Sequence, residues 1–466
     1  MARLKPWQPT ICSNEGKMKH MNRIIAVAVI LLSVATAKAA PIQPSAVEEA
    51  TKTGGSQKNS VVATNPEPLT LENAIRTALL GSPGLRAIQT RVKALAQIPA
   101  QQGALPDPNL SLRILNLPID SFAVGQEGMT QLQLGLAQTF PFPGKLALLA
   151  AVAEDQASMA GYDVSEWQLR LVRDIRKLWW RLAYLDRAID IVTANQDLLR
   201  QFLNVAQTKY RVGRGLQQDV LLAQLELSRL IERSLVLHNE RRSEEARLNT
   251  LMGVSVGDKI RLPKIIDESL PPVTTLAELR KIARESRPML RGNDAAISMA
   301  EAKVELARKD YYPDLVFSAG YGIRSGSNPD GSGRADLLSL GASINLPIFT
   351  SDRQDRQLDQ YQKELLTQRF QKQDIRNRIE EEVTEAYQDY QLFREQVRLF
   401  NEGIIPQAAQ TVASMRSGYE VSKVDFLNLI RAQITLFDYQ IRYWQTQSQA
   451  HEALARLMAA IGKESY

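Results

Sequence analysis

Four segments of the chain alternate apolar and polar residues with a period of two. Leu110, Leu112 and Ile114 are separated by Ser111 and Arg113. Leu132, Leu134 and Leu136 alternate with Gln131, Gln133, Gly135 and Ala137. Leu315, Phe317, Ala319, Tyr321 and Ile323 alternate with Val316, Ser318, Gly320, Gly322 and Arg324. Leu338, Leu340, Ala342, Ile344 and Leu346 alternate with Ser339, Gly341, Ser343 and Asn345. Successive side chains of a strand point to opposite faces. Each segment therefore predicts a strand with one greasy face and one small, polar or cationic face. Strands of this kind suit a membrane barrel with lipid outside and water inside. Taken singly, they also suit a sheet packed on a soluble core. The links 116–128 and 325–335 are long and polar, and the second is almost pure turn chemistry.

The rest of the pattern is helical. Leu171, Ile175, Leu178, Leu182, Leu185, Ile189 and Val192 step alternately by four and three. So do Ile379, Val383, Ala386, Tyr390, Phe393, Val397, Phe400 and Ile404. Each run is a heptad seam. The stretch 145–210 has no Pro and one Gly. As one helix it is about 100 Å long at 1.5 Å per residue, too long for a compact domain. Short helices are predicted at Leu71–Leu80 and Leu276–Glu285, and longer ones at Leu85–Gln102 and Met289–Lys309.

The chain also repeats itself. Ser82-Pro83-Gly84-Leu85-Arg86 is echoed by Arg287-Pro288-Met289-Leu290-Arg291, and Pro106-Asp107 by Pro313-Asp314. Leu134-Gly135 recurs as Leu340-Gly341, Phe140-Pro141 as Leu346-Pro347, Ala223-Gln224 as Ala432-Gln433, and Leu251-Met252 as Leu457-Met458. A collinear series at nearly one offset is the mark of an internal duplication. The unit is helix–strand–strand–helix, giving repeats at 69–255 and 275–466 with a linker at 256–274. Four strands cannot close a barrel, which needs about eight, and lipid does not tolerate open sheet edges. If these strands cross a membrane, several chains contribute, and three would supply twelve strands.

Composition alters this picture mainly through the first residues. The 466-residue chain carries a formal charge of +6, which alone hints at nucleic acid or an acidic surface. Residues 1–39 hold Arg3, Lys5, Lys17, Lys19, Arg23 and Lys38 against Glu15, so residues 40–466 carry only about +1. Lys17, Lys19 and Arg23 precede the apolar run Ile24–Val34, and Ala37-Lys38-Ala39 supplies a cleavage pattern. This is the layout of a secretory signal peptide, with Met18 and Met21 as alternative starts. The run is shorter than the roughly 20 residues a spanning helix needs. Residues 40–68, rich in Pro, Ser, Thr and Gly, read as a flexible segment. Cys12 is the sole cysteine and His20 is one of three histidines, so both leave with the leader. Disulfides and cysteine zinc sites are thereby excluded from residues 40–466.

The duplication, the junctions Phe140-Pro141-Phe142-Pro143-Gly144-Lys145 and Leu346-Pro347-Ile348-Phe349, and the tip Tyr210-Arg211-Val212-Gly213 resemble the TolC-type outer-membrane efflux channels. The resemblance runs from about Leu69 to Gly462. It implies a mainly α protein with a β-barrel portion: a homotrimer with a twelve-stranded barrel in the outer membrane of a Gram-negative bacterium, continued by a long periplasmic α-helical tunnel. It implies docking to a periplasmic adaptor and an inner-membrane pump of the resistance-nodulation-division class, with no nucleic-acid partner. It also implies a periplasmic gate at the helix tips, carried here by Tyr210, Asp219, Tyr419, Asp425 and Asn428. The family often has aspartate where Asn428 stands and can have another where Arg431 stands, so its acidic ring is not carried over intact. Asp219 and Asp425 also fit plain helix N-termini. Arg211, Gly213, Arg214, Gly215, Ser422 and Lys423 are candidate adaptor-docking positions. Arg113 and Arg324 are candidates for the barrel lumen.

The Leu105-Pro106-Asp107-Pro108-Asn109 junction and the Phe-Pro-Gly-Lys turn look most like members paired with heavy-metal pumps. Drug efflux and type I protein secretion remain open as cargoes, and a secreted coiled-coil scaffold without a pore is the alternative of another class. No P-loop, nucleophile elbow or HExxH motif is present, so neither enzyme activity nor a cofactor is expected. His238 and His451 read as helix-surface residues rather than metal ligands. Trp179-Trp180 reads as helix packing. Phe122, Phe140, Phe142, Tyr311, Tyr312 and Phe349 flank the strands as candidates for interfacial girdles, with core packing the alternative for Phe140 and Phe142.

Overall fold

The computed structural model describes residues 68–421 and 423–464. The predicted leader, the segment 40–67 and the docking candidate Ser422 lie outside the described residues. Two units are distinct: a strand unit, Pro106–Phe140 with Leu315–Ile344, and a helical unit formed by the rest.

In the helical unit, both repeats begin alike. Helix α1 (Leu71–Gly81) is capped by Thr70, whose hydroxyl accepts from the Asn73 N–H at 3.2 Å. After the repeat, Thr275 accepts from the Glu278 N–H at 3.4 Å and opens the helix Leu276–Ser286. Proline then starts the next helix in each half, at Pro83 and at Pro288. Its fixed φ and missing N–H suit that first turn. The halves diverge afterwards. The single helix predicted over Leu85–Gln102 is two, α2 (Pro83–Leu95) and α3 (Ile98–Gly103). Pro99 cannot donate to the Leu95 carbonyl, and its ring crowds that carbonyl.

The first long helix, α4, spans Lys145–Arg211 without interruption, 67 residues as the pattern predicted. Helix α5 (Gln217–Met252) returns from it. In the second half, α6 (Leu276–Ser286) and α7 (Pro288–Lys309) precede α8 (Gln354–Leu399). Here the expected unbroken seam through Ile404 is corrected. A π-helical turn occupies Phe400–Ile404, with the Ile405 N–H donating to the Phe400 carbonyl, before α9 (Ile405–Glu420) resumes. Pro406 has no N–H for the Glu402 carbonyl, and the wider turn takes up that lost bond. Helix α10 (Phe426–Ala460) closes the chain.

Two cores share one plan. In the first, Ala74 and Ala78 of α1 pack on Leu171, Ile175 and Trp179 of α4 and on Leu248 of α5. In the second, Leu279 and Ala283 of α6 pack on Ile379, Val383 and Tyr390 of α8 and on Leu457 of α10. Two more clusters join α4, α5 and α10, around Leu185, Leu237 and Phe437 and around Leu199, Ala223 and Phe426. Of the α4 seam, Leu171, Ile175, Leu182, Leu185 and Val192 are buried and Leu178 and Ile189 half-buried, while the α8 seam is buried to Tyr390 and half-buried from Phe393 to Ile404.

One buried ion pair joins the repeats. Arg287, between α6 and α7, donates from Nε to Glu166 Oε2 at 3.0 Å and from Nη2 to Glu166 Oε1 at 2.8 Å. Its Nη1 reaches the Ala459 carbonyl at 3.0 Å and Glu382 at 3.2 Å. Both side chains of the Arg287–Glu166 pair are below 10% exposed. The first repeat has Ser82 in the place of Arg287.

The strand unit is one antiparallel sheet in the order β1 (Asn109–Leu115), β2 (Gln131–Phe140), β3 (Leu315–Arg324), β4 (Leu337–Ile344). The last strand ends at Ile344 rather than Leu346, since Pro347 has no N–H for a ladder. Register aligns the greasy residues: Leu112 opposite Leu134, Leu134 opposite Tyr321, and Tyr321 opposite Leu338. On the other face, a Cβ on Gly320 would lie 2.6 Å from Gln133 Nε2, and one on Gly322 would strike Gln131 Oε1. Glutamine side chains lie across these glycines and fill the space a Cβ would take.

Candidate functional site at the helix tips

The turn from α4 into α5 is set by glycine. Gly213 has φ +72°, its N–H donates to the Tyr210 carbonyl, and the Arg214 N–H donates to the Lys209 carbonyl at 2.8 Å. These two bonds make a Schellman cap, which favours glycine at the left-handed position. In the second tip the Lys423 N–H donates to the Gly418 carbonyl at 2.8 Å, the same long-range bond 209 residues later. The helix ends at Gly253 and Gly462 repeat the device, with φ +72° and +74°.

The structure brings part of the predicted gate together. Tyr419 is half-buried against Phe426, with ring centroids 5.5 Å apart. Lys209 lays its ammonium 3.8 Å from the Tyr419 ring centroid and donates to the Tyr419 carbonyl at 3.3 Å. Burial, and then the nearby Asp219 carboxylate, raise the Tyr419 phenol above its ordinary range. Tyr419, Lys209 and Asp219 thus form one group across the two tips. Tyr210 stands apart and is 48% exposed. Asp425 is exposed at the N-cap of α10 without a side-chain capping bond, while Asn428 and Arg431 are exposed in its first turns. Asp219 lies in the first turn of α5. Both aspartates therefore sit where a helix dipole favours a carboxylate. Arg211, Gly213, Arg214 and Lys423 are exposed and Gly215 is half-buried. Lys209 escaped the sequence reading because cations in a last helical turn are common. Only the fold shows that this one reaches the other repeat.

Arg113 and Arg324 lie on one face of the sheet, opposite the greasy one. Arg113 pairs with Gln133, and Arg324 with Gln131. Arg324 is spent on its own loops, donating from Nε to the Ala335 carbonyl at 2.6 Å and from Nη1 to the Gly128 carbonyl at 3.2 Å.

The Phe-Pro-Gly-Lys turn is a clamp. Asp314 accepts from the Phe142 N–H at 2.8 Å and from Lys145 Nζ at 3.0 Å, while Asp310 takes the same ammonium at 3.3 Å. The Lys145 side chain is only 10% exposed. A cation at a helix N-terminus opposes the dipole, and the two carboxylates offset that. Phe142 stacks on Tyr312 with centroids 4.4 Å apart. Of the other aromatic candidates, Phe122, Tyr312 and Phe349 are at least half exposed.

His451 is not a surface residue as predicted. It stacks on Trp180 with centroids 3.5 Å apart, and burial pushes its imidazole down to about 3. The aromatic face of Trp180 supplies a site that periodicity could not show. Trp179 packs in the first core and donates to the Leu69 carbonyl at 3.0 Å. His238 is exposed and bonded to its own helix. No group of three or more potential metal ligands occurs among the described residues, and no helix among them is long and apolar enough to cross a membrane.

Residues 279–463 match the family described as outer membrane efflux protein. The matched stretch lies within the second repeat. The chain is similar to the cobalt-zinc-cadmium resistance protein CzcC of Cupriavidus metallidurans, 21% identical over 85% of this chain and 90% of that protein. It is also similar to the pyoverdine export outer membrane protein OpmQ of Pseudomonas aeruginosa, 23% identical over 84% and 83%. Among solved structures, this fold recurs in CusC, with a TM-score of 0.73, 16% identity, and 86% and 96% coverage. It recurs in VceC of Vibrio cholerae, with a TM-score of 0.71, 20% identity, and 84% and 96% coverage.

Proposed function

We propose that three copies of this chain form a passive outer-membrane channel. Their sheets would close a twelve-stranded barrel, and their long helices a periplasmic tunnel. One observation carries this: the sheet presents a continuous greasy face to its surroundings. Leu110, Leu112 and Ile114 are each 56% exposed, Leu338 70% and Leu340 78%. Such a face is costly in water at about 25 cal/mol per Å² of apolar area. Lipid removes that cost, provided both sheet edges are paired. The channel receives its cargo from a periplasmic adaptor and an inner-membrane pump of the resistance-nodulation-division class. The tips hold the closing contacts, Tyr419 with Lys209 and Asp219, aided by Tyr210, Asp425 and Asn428. Arg211, Gly213, Arg214, Gly215, Ser422 and Lys423 present the docking surface. Arg113 and Arg324 face the lumen.

The cargo is heavy-metal cations. The similarity to CzcC over 85% of this chain supports this reading, together with the Pro-Asp-Pro and Phe-Pro-Gly-Lys junctions. A deletion strain should lose growth in cobalt, zinc, cadmium or copper and regain it with the gene restored. Sensitivity to drugs and solvents alone would refute the metal assignment. Recovery of the protein solely from the soluble periplasm would refute the channel.

A further inference from the structure

The two hairpins of the sheet carry unlike loops. The second loop, residues 325–335, holds no apolar side chain larger than proline. The first, residues 116–130, holds Leu117, Ile119, Phe122, Val124 and Met129. Both loops join antiparallel strands of one sheet, so reversing the chain does not by itself call for these residues. Ile119 is 88% exposed, Phe122 69% and Val124 51%.

The exposure belongs to a firmly held loop. Asn116 Nδ2 donates to the Met129 carbonyl at 3.2 Å, and the Thr130 hydroxyl to the Asn116 carbonyl at 2.6 Å. Arg334 of the second loop donates to the Glu127 carbonyl at 2.7 Å and to the Gly125 carbonyl at 3.3 Å. The Ser121 hydroxyl donates to Gln126 Oε1, so two polar side chains of the tip satisfy each other. Inside this frame Phe122 has φ +49°, and its N–H donates to the Pro118 carbonyl at 3.0 Å. A bulky residue in the left-handed region is a strained outlier. Such strain persists where the surroundings over-determine it, and it gathers at functional positions. The frame thus holds a phenyl ring out in solvent against both its backbone preference and the hydrophobic effect. What offsets both lies outside the chain.

We propose that the tip of this loop is a membrane anchor. Ile119, Phe122 and Val124 enter the acyl chains of the leaflet on the loop side, with Asp120 and Ser121 at headgroup level. The inference rests on the membrane barrel proposed above. Continuity selects lipid as the occupant. Ile114, Leu132 and Ile323 lie side by side as the last greasy row of the sheet, and Leu117 and Ile119 follow directly from Ile114. The chemistry agrees. A protein partner is gripped mainly through Trp, Tyr and Arg, and residues 117–124 contain none of these. Aliphatic and phenyl groups need only an apolar phase. Shallow entry is also tolerated by the backbone. Lipid penalises unbonded N–H groups, but that of Phe122 is bonded, and that of Ala123 donates to Ser121 Oγ at 3.4 Å.

Residues 40–466 contain no cysteine, so an introduced one takes a nitroxide label alone. Ile119→Cys and Val124→Cys report on the tip and leave Phe122 in place. Leu112→Cys is the lipid reference, and Ser327→Cys, exposed in the second loop, is the water reference. Exported full-length protein is reconstituted into liposomes of phosphatidylethanolamine and lipopolysaccharide. Power-saturation EPR then reads collisions with oxygen, which concentrates in hydrocarbon, and with a neutral nickel chelate, which stays in water. Oxygen should prevail at 119 and 124, as at 112, and nickel at 327. Phe122→Asp should shift the Val124→Cys label towards nickel. Nickel collisions at 119 and 124 that match 327, with 112 still in lipid, would overturn the anchor and leave the barrel standing. So would a Val124→Cys label indifferent to Phe122→Asp. Labels shielded from both reagents would place the tip against another protein surface and overturn the anchor as well. A water-like label at 112 would overturn the barrel, and the anchor with it.

Discussion

Removing Arg287 should be among the most damaging single changes in the helical unit. Its guanidinium makes two bonds to Glu166, at 2.8 and 3.0 Å, and both side chains are almost wholly buried. In an Arg287→Met variant, Glu166 keeps only Arg170, at 3.3 Å and itself 52% exposed. A buried carboxylate with so weak a partner costs about 3–5 kcal/mol. The other acceptors lose less. Glu382 is 51% exposed and can be hydrated, and the Ala459 carbonyl still accepts the Gly462 N–H at 3.0 Å. The double variant Arg287→Met/Glu166→Leu leaves no buried charge and should recover most of the loss, because apolar replacements of a buried ion pair are commonly neutral or better. Urea unfolding in detergent, followed by tryptophan fluorescence, gives the cycle. Arg287→Met within about 1 kcal/mol of the parent, or a double variant no better than the worse single one, would show that the pair is not the buried unit described here.

Other consequences follow from the same contacts. Asp314→Ala removes the acceptor for the Phe142 N–H and half the neutralisation of Lys145, and should cost about 1–3 kcal/mol; Asp314→Asn, which keeps an acceptor, should cost less in the same urea titration. At the tips, Lys209→Met and Tyr419→Ala each break the cross-repeat contact and should raise single-channel conductance in planar bilayers; unchanged conductance in both would remove these residues from closure. The His451 imidazole is held down to about 3 by burial, so the unfolded chain binds its proton more readily. The contribution is therefore complete above the ordinary value near 6.5 and is lost as pH falls from there towards 3. Between pH 7.5 and 5 the loss is about 2 kcal/mol, and His451→Phe should flatten that part of a pH–stability profile.

Much of the architecture was legible because it repeats. Period-two alternation marked all four strands, since side chains of a strand must alternate between faces. The α4 helix was legible because nothing between Lys145 and Arg211 interrupts it. The errors fell at prolines. Pro99 split a predicted helix and Pro406 imposed a π turn, whereas Pro83 and Pro288 only begin helices. The residue is the same, and its position relative to a free carbonyl decides which occurs. Of the tip residues, the sequence located Tyr210, Asp219, Tyr419 and Asp425 at two equivalent turns. It could not show that Tyr419 is half-buried beside Lys209 and Asp219 while Tyr210 is exposed.

The sequence by itself determined the local order of elements, their duplication, and which face of each strand is greasy. Those features follow from side-chain spacing along one stretch of chain. Tertiary structure alone decided that Arg287 meets Glu166 across 121 residues, that Lys145 is held by Asp310 and Asp314, and that His451 lies against Trp180. Each is a contact between residues far apart in the chain. Their charges and rings look ordinary in sequence, because burial and a partner, which give them their energies, exist only once distant helices have packed.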